Sequence, residues 1–159
     1  MKTTLLAAAA ALLPLASQAH DGMHAEDAYI RSTNPMTGAA FMRLENHRAV
    51  PCTLTAVSSD VAERIELHTH EEADGIMRMR QIEDGIAVPA GETASLKRGG
   101  DHVMLLGLTR PLADGDTVTL ALDFGDCGIE EVEAVVDNAR EGGDHGGHDH
   151  GAHEAHAGH

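Results

Sequence analysis

The chain has 159 residues, with 26 acidic side chains against 11 basic ones and a formal net charge of −15. Such an acidic chain excludes the usual binding sites for nucleic acid or for an anionic membrane surface, and one Tyr, two Phe and no Trp are too few for base-stacking platforms. Twelve His and seven Met against two Cys point instead to metal chemistry, because imidazoles and thioethers are metal ligands.

Residues 1–19 have the pattern of a cleavable secretory signal peptide. Lys2 gives a positive start, residues 5–15 are mostly apolar, and Ser17 and Ala19 are the small residues expected before a cleavage site. The apolar run is shorter than the roughly 20 residues that span a bilayer. The sequence therefore predicts a periplasmic protein that begins at His20 and is not inserted in the membrane after cleavage.

The predicted export also bears on the two cysteines. An oxidising compartment allows Cys52 and Cys127 to pair. Their wide separation in the sequence differs from the C-x-x-C spacing of metal and redox motifs. We therefore expect one structural disulfide, which contributes about 3–4 kcal/mol in the chain-entropy model.

Residues 20–27 are polar and are predicted to be a flexible N-terminal lead. Residues 28–137 follow as one domain, in which short runs of Val, Ile, Leu and Thr are separated by turn residues. No helical period persists, so the pattern predicts an all-β, antiparallel sandwich or barrel of about eight to nine strands. The predicted strands are 28–33, 39–45, 52–58, 64–70, 76–82, 93–97, 102–108, 117–124 and 130–136.

Residues 138–159 have a different composition and are predicted to be a disordered, His-rich, metal-binding tail, because they contain too few apolar side chains to build a core. Its imidazoles favour Cu(II), Ni(II) or Zn(II), and the new N-terminal amine of His20, with His24 close by, could join them. The alternative is that the tail takes up metal ions without a defined coordination geometry. The tail histidines are His145, His148, His150, His153, His156 and His159.

Three predicted strands each carry two metal-capable side chains at positions i and i+2, which point to one face of a strand. The pairs are His68 with His70, Met77 with Met79, and His102 with Met104. Thioethers prefer Cu(I) and survive in a compartment where thiols oxidise. The alternative for any single Met is ordinary core packing, and Met77 could line a site without binding the metal. The combination of His68, Met79, His102 and Met104 predicts a soft-metal site.

The segments around these donors resemble a known family, the periplasmic copper chaperones called PCu(A)C. The similarity rests on residues 28–46, 64–80, 88–91 and 99–112, and it extends over residues 28–136. The family pattern is a His, ten residues, a Met, twenty-one residues and then His-x-Met. Ten residues separate His68 from Met79, as in the pattern, whereas twenty-two separate Met79 from His102. We place the extra residue in the turn at residues 83–85.

The resemblance implies a cupredoxin-like β-barrel that binds one Cu(I) through His68, Met79, His102 and Met104. His70 stands where relatives often have a second Met, which makes it a further candidate. The resemblance also implies delivery of copper to the CuA centre in subunit II of cytochrome c oxidase, alongside a Sco-type thiol protein. The tail would then be an extension that binds additional copper, as Cu(II).

The predicted function is copper binding and transfer, not catalysis. The sequence contains no evident Ser/His/Asp spacing, phosphate-binding Gly loop or pair of catalytic carboxylates. Two alternatives remain open. One is a periplasmic copper buffer for metal tolerance, in which the tail is the active part. The other is a copper oxidase enzyme in which His20 forms an amine–imidazole brace.

Overall fold

The computed structural model describes residues 22–141, which are built almost entirely of β-structure. No helix among them is long and apolar enough to cross a membrane. The all-β prediction is confirmed. The strands are β1 (Met23–Asn34), β2 (Thr37–Asn46), β3 (Cys52–Leu54), β4 (Ala56–Ser58), β5 (Ala62–Ala73), β6 (Ile76–Gln81), β7 (Ile86–Val88), β8 (Thr93–Leu96), β9 (His102–Leu108), β10 (Thr117–Asp123) and β11 (Ile129–Val136), with a 3-10 turn at Gly125–Cys127.

The strands form one long sheet and one small sheet. The long sheet has the order β4-β10-β11-β1-β2-β9-β5-β6, with β8 also paired to β2, and the small sheet joins β3 to β7. Strand β2 connects two parts of the long sheet, because residues 37–40 pair with β9 and residues 42–45 pair with β8. Strands β1 and β11 run parallel, so the sheet is mixed where the sequence predicted antiparallel pairing alone.

Alternation along the strands gives the long sheet an inner, buried face and an outer face. On β2, Ala40, Met42 and Leu44 are buried, whereas the intervening Arg43 and Glu45 are partly exposed, as the two-residue period of a strand requires. The core cluster consists mainly of Leu, Val and Ile, and among the described residues Phe124 is its single aromatic side chain. The core therefore depends on aliphatic packing, in keeping with a composition of two Phe, one Tyr and no Trp.

The predicted disulfide between Cys52 and Cys127 is present, with the two Cα atoms 6.0 Å apart. It ties β3 to the 3-10 turn that follows β10. Cys52 is buried in the core cluster. The bond thus joins the small sheet to the long one across a sequence separation of 75 residues.

The strand prediction is wrong around the small sheet, where one predicted strand is divided and another strand was missed. The single strand expected at residues 52–58 divides at Thr55, because β3 pairs with β7 while β4 pairs with β10. Strand β7 was not predicted at all. It has three residues between Gly85 and Pro89, a run too short for alternation to be read, and it forms by pairing with a distant segment.

The flexible lead predicted at residues 20–27 is also wrong for residues 23–27, which form the first part of β1. Met23 is 4% exposed and belongs to the core. Arg43 on β2 forms ion pairs with Glu26 and Asp27, the latter at 3.1 Å. The polar composition suggested a loose segment, but these acidic side chains are partnered across the strand pair.

At the other end, the predicted tail begins too early. Asn138 accepts a hydrogen bond from the Ser32 backbone N–H through Oδ1, at 2.7 Å. The Arg140 guanidinium lies 4.3 Å from the centre of the Tyr29 ring. The first residues of the predicted tail therefore contact β1 through Asn138 and Arg140. Residues 142–159 and the predicted signal peptide lie outside the described residues.

The placement of Met23 in the core can be tested by truncating its side chain. Met23→Ala should lower the free energy of unfolding by about 2–5 kcal/mol, because a buried Met is removed. Met36→Ala is a matched control, since Met36 is 59% exposed between β1 and β2, and it should cost about 0.5 kcal/mol or less. Denaturant unfolding measures both. Equally small losses would contradict the assignment of residues 23–27 to β1.

Candidate metal centre

The predicted donors lie on three neighbouring strands of the long sheet, in the order β9-β5-β6. His68 is paired directly with His102, and His70 with Met79. Residues opposite one another in an antiparallel pair share a face, as do residues two apart in one strand. These donors therefore lie on the outer face of the three strands, together with Met77 nearer the β5–β6 turn. We call the five that surround the His68–His102 pair the metal face: His68, His70, Met79, His102 and Met104.

A two-residue turn sets which donors are opposite one another on β5 and β6. Asp74 and Gly75 have φ values of 55° and 75°, which is the type I′ geometry that Asp-Gly favours in hairpins. The turn pairs Ala73 with Ile76, and the same register places Met79 opposite His70. Met77 is paired with Glu72, closer to the turn and farther from His68.

The three imidazoles of the metal face form a compact group. The ring centres of His68 and His102 are 5.9 Å apart, and those of His70 and His102 are 5.2 Å apart with nearly parallel planes. His102 is only 2% exposed although it lies on the outer face, because the other two rings and Phe41, at 6.0 Å, cover it. The group is therefore shielded from water at its centre.

The turn before β9 orients His102. The backbone N–H of Lys97 donates to Asp101 O and that of Gly100 donates to Lys97 O, which folds the chain so that Gly100 O lies 2.9 Å from His102 Nδ1. A carbonyl oxygen only accepts, so Nδ1 carries the proton and Nε2 keeps its lone pair. Burial lowers the pKa of His102, with the Gly100 bond opposing it, which favours the neutral form that can bind a metal.

His68 and His70 each have a ring nitrogen available for a ligand. Their Nδ1 atoms are the two buried side-chain polar atoms without a hydrogen-bond partner among the described residues. A buried polar atom without a partner is costly, and a lone pair directed at a metal ion would remove that cost. Both imidazoles are therefore suited to bind a metal ion.

The two predicted thioether ligands lie on either side of the His68–His102 pair. Met79 is 48% exposed, and Met104 is partly buried and paired with Glu66. Within residues 22–141, His, Cys, Asp and Glu alone provide no group of three or more placed to hold a metal ion.

Sequence reasoning missed two contributors to this region. Glu66 accepts a hydrogen bond from His68 Nε2 at 2.8 Å, and that bond lowers the pKa of Glu66 against the opposing effect of burial. Phe41 covers His102, and the Tyr29 ring lies 5.2 Å from that of Phe41. The position of Glu66, two residues before His68, was a usable signal, whereas the contact of Phe41 depends on how β2 pairs with β9.

The other predicted ligands are not brought to the metal face. His24 is paired with Glu45 on the β1–β2 pair, its ring is 5.2 Å from that of His47, and its Nδ1 is 3.8 Å from Glu130. Met77 shares a sheet face with Met79 but is paired with Glu72, nearer the turn, and is 57% exposed. His20 and all six tail histidines lie outside residues 22–141.

The family is settled by comparison with known sequences. The family model described as "Putative lipoprotein LpqE-like" matches residues 23–136. The chain belongs to the LpqE-like family. It is 30% identical over 106 residues to "Putative lipoprotein Lxx21020" of Leifsonia xyli subsp. xyli (strain CTCB07), an alignment that covers 67% of this chain. The chain spans 64% of the length of that curated relative.

Solved structures confirm the resemblance to PCu(A)C proteins and the cupredoxin-like fold. The solution structure of apo-DR1885 from Deinococcus radiodurans matches with a TM-score of 0.57 and 32% identity, covering 89% of this chain and 99% of that one. The corresponding CuI-DR1885 structure matches at 0.58 and 34%, covering 72% and 77%. The copper-bound PCuAC domain from PmoF2 matches at 0.60 over 72% and 92%, and its 19% identity speaks for the fold alone.

Proposed function

We propose that this LpqE-like protein is a copper chaperone that binds Cu(I) through His68, Met79, His102 and Met104. One observation carries the proposal: two buried imidazole nitrogens that have no hydrogen-bond partner among residues 22–141 lie on the same sheet face as two thioethers. His70 is a further candidate ligand, because one of these nitrogens belongs to it. The relative solved as CuI-DR1885, which is 34% identical, supports copper as the metal.

The chemistry of the donors suits a carrier of Cu(I). Thioethers and imidazoles are neutral ligands, and thioethers select the soft Cu(I) ion. They need not lose a proton to bind and do not form disulfides in an oxidising compartment. The half-exposed Met79 leaves one side of the centre open to an acceptor, so copper can pass to a partner by exchange of ligands.

The site assignment predicts the outcome of a Cu(I) competition titration. Alanine at position 68, 79, 102 or 104 should weaken binding at least about tenfold, which corresponds to about 1.4 kcal/mol. The matched controls are His47→Ala and Met36→Ala, because both side chains are largely exposed away from the metal face, and their affinities should match that of the unmodified protein. Unchanged affinity in all four ligand variants would defeat the assignment.

We place this chaperone in the periplasm, delivered there by a cleavable signal at residues 1–19. Its proposed acceptor is the CuA centre in subunit II of cytochrome c oxidase, with a Sco-type thiol protein as a second partner. The description of the family as a putative lipoprotein supports an exported protein. The proposed role is transfer and not catalysis.

The delivery proposal predicts low oxidase activity in a deletion strain grown at low copper, with recovery on added copper. A plasmid carrying the unmodified gene should restore activity, whereas one carrying His68→Ala should not. His47→Ala is the control that should restore it. Normal oxidase activity at low copper together with copper sensitivity would indicate a copper buffer instead.

The proposed second copper site is the His-rich tail, which binds Cu(II) through several imidazoles. A chain that ends at Glu141 keeps the Arg140–Tyr29 contact and removes all six tail histidines. It should bind fewer Cu(II) ions, measured by equilibrium dialysis, and keep its Cu(I) affinity. Undiminished Cu(II) stoichiometry would remove the tail from the function.

A further inference from the structure

Three side chains on the outer face of β5 are connected in series. Arg64 Nε lies 2.7 Å from Glu66 Oε1, and Glu66 Oε2 lies 2.8 Å from His68 Nε2. Their side chains are 68%, 17% and 14% exposed, respectively. Exposure thus falls along the series, and the carboxylate is held between a solvent-facing cation and a nearly buried imidazole.

The contact with Glu66 decides which nitrogen of His68 carries the proton. A carboxylate only accepts hydrogen bonds, so in the neutral ring the proton lies on Nε2 and the lone pair on Nδ1. That Nδ1 atom is buried and has no hydrogen-bond partner in the part of the chain that the structure describes. The hydrogen bond to Glu66 therefore leaves the lone pair on Nδ1, and no other group among the described residues binds it.

His102 is oriented through Nδ1, whereas His68 is oriented through Nε2. His102 Nδ1 donates to Gly100 O at 2.9 Å, which leaves Nε2 as its donor atom. The paired residues His68 and His102 thus offer different ring nitrogens to the metal face. One imidazole is held by a side chain and the other by the backbone, so a single substitution can release His68 without disturbing His102.

We propose that Glu66 is a positioning residue that holds His68 in the Nε2–H form, so that His68 binds copper through Nδ1. The inference rests on the proposed copper site and names the donor atom within it. Partners of this kind fix the orientation of a ligating imidazole, and their loss typically weakens metal binding 10–100-fold. Arg64 contacts the second carboxylate oxygen and keeps Glu66 turned towards the ring.

The first arm of the test needs no copper. Nitrogen-15 NMR of the metal-free protein at about pH 8, above the usual imidazole pKa of about 6.5, reports which ring nitrogen is protonated. His68 should be in the Nε2–H form, and Glu66→Ala should give a mixture of both forms. Glu66→Gln should retain the Nε2–H form, because its amide oxygen can accept the same bond. His68 in the Nδ1–H form in the unmodified protein would overturn the inference.

The second arm is Cu(I) affinity. Glu66→Ala should weaken binding about 10–100-fold, and Glu66→Gln should recover most of that loss. Glu71→Ala is the matched control, because Glu71 is on the same strand, faces the opposite side of the sheet and pairs with Arg80 at 2.6 Å. The Cu(I) affinity of Glu71→Ala should change less than about twofold, because the exposed ion pair that it removes contributes little.

The two proposals fail in different ways. If Glu66→Ala changes neither the protonated nitrogen of His68 nor the affinity, the positioning role is wrong while the copper site stands. If the unmodified protein binds no Cu(I), the proposed function is wrong. In that case a change of the His68 protonated nitrogen in Glu66→Ala would still support control of this ring by Glu66.

Discussion

The pairing of β5 with its two neighbours is the constraint on which the metal face depends. The Asp74-Gly75 turn fixes the register with β6, and the antiparallel pairing with β9 places His68 against His102. A shift of one residue in either pair would turn the corresponding donors to the other face, because side chains alternate along a strand. The positions of the thioethers relative to the imidazoles follow from these two registers.

The site combines a rigid interior with an open edge. His102 is covered by other rings and held by the backbone of the preceding turn, whereas Met79 lies on β6 at the end of the sheet and is half-exposed. Rigidity at the centre preserves the geometry of the imidazoles. In the proposed copper site, exposure at the edge would give an acceptor access to Met79 first.

The acidic character of the chain also has a structural use. Within the described residues, several acidic side chains form local ion pairs: Glu26 and Asp27 with Arg43, Glu71 with Arg80, and Asp116 with Arg110. Exposed pairs of this kind contribute little to stability. In β1 they nevertheless let a polar stretch pair as a strand and bring Met23 into the core.

The sequence by itself determined the all-β class, the aliphatic core, the disulfide and the face shared by each donor pair, since these follow from composition and a two-residue period. It did not determine the start of β1, the small β3–β7 sheet or the parallel β1–β11 pair, because strand pairing joins segments distant in the chain. The same holds at the metal face. The types of donor could be read from residues 68–104, but the stacking of His70 on His102 and the cover from Phe41 required the tertiary structure, which alone decides which strands are neighbours.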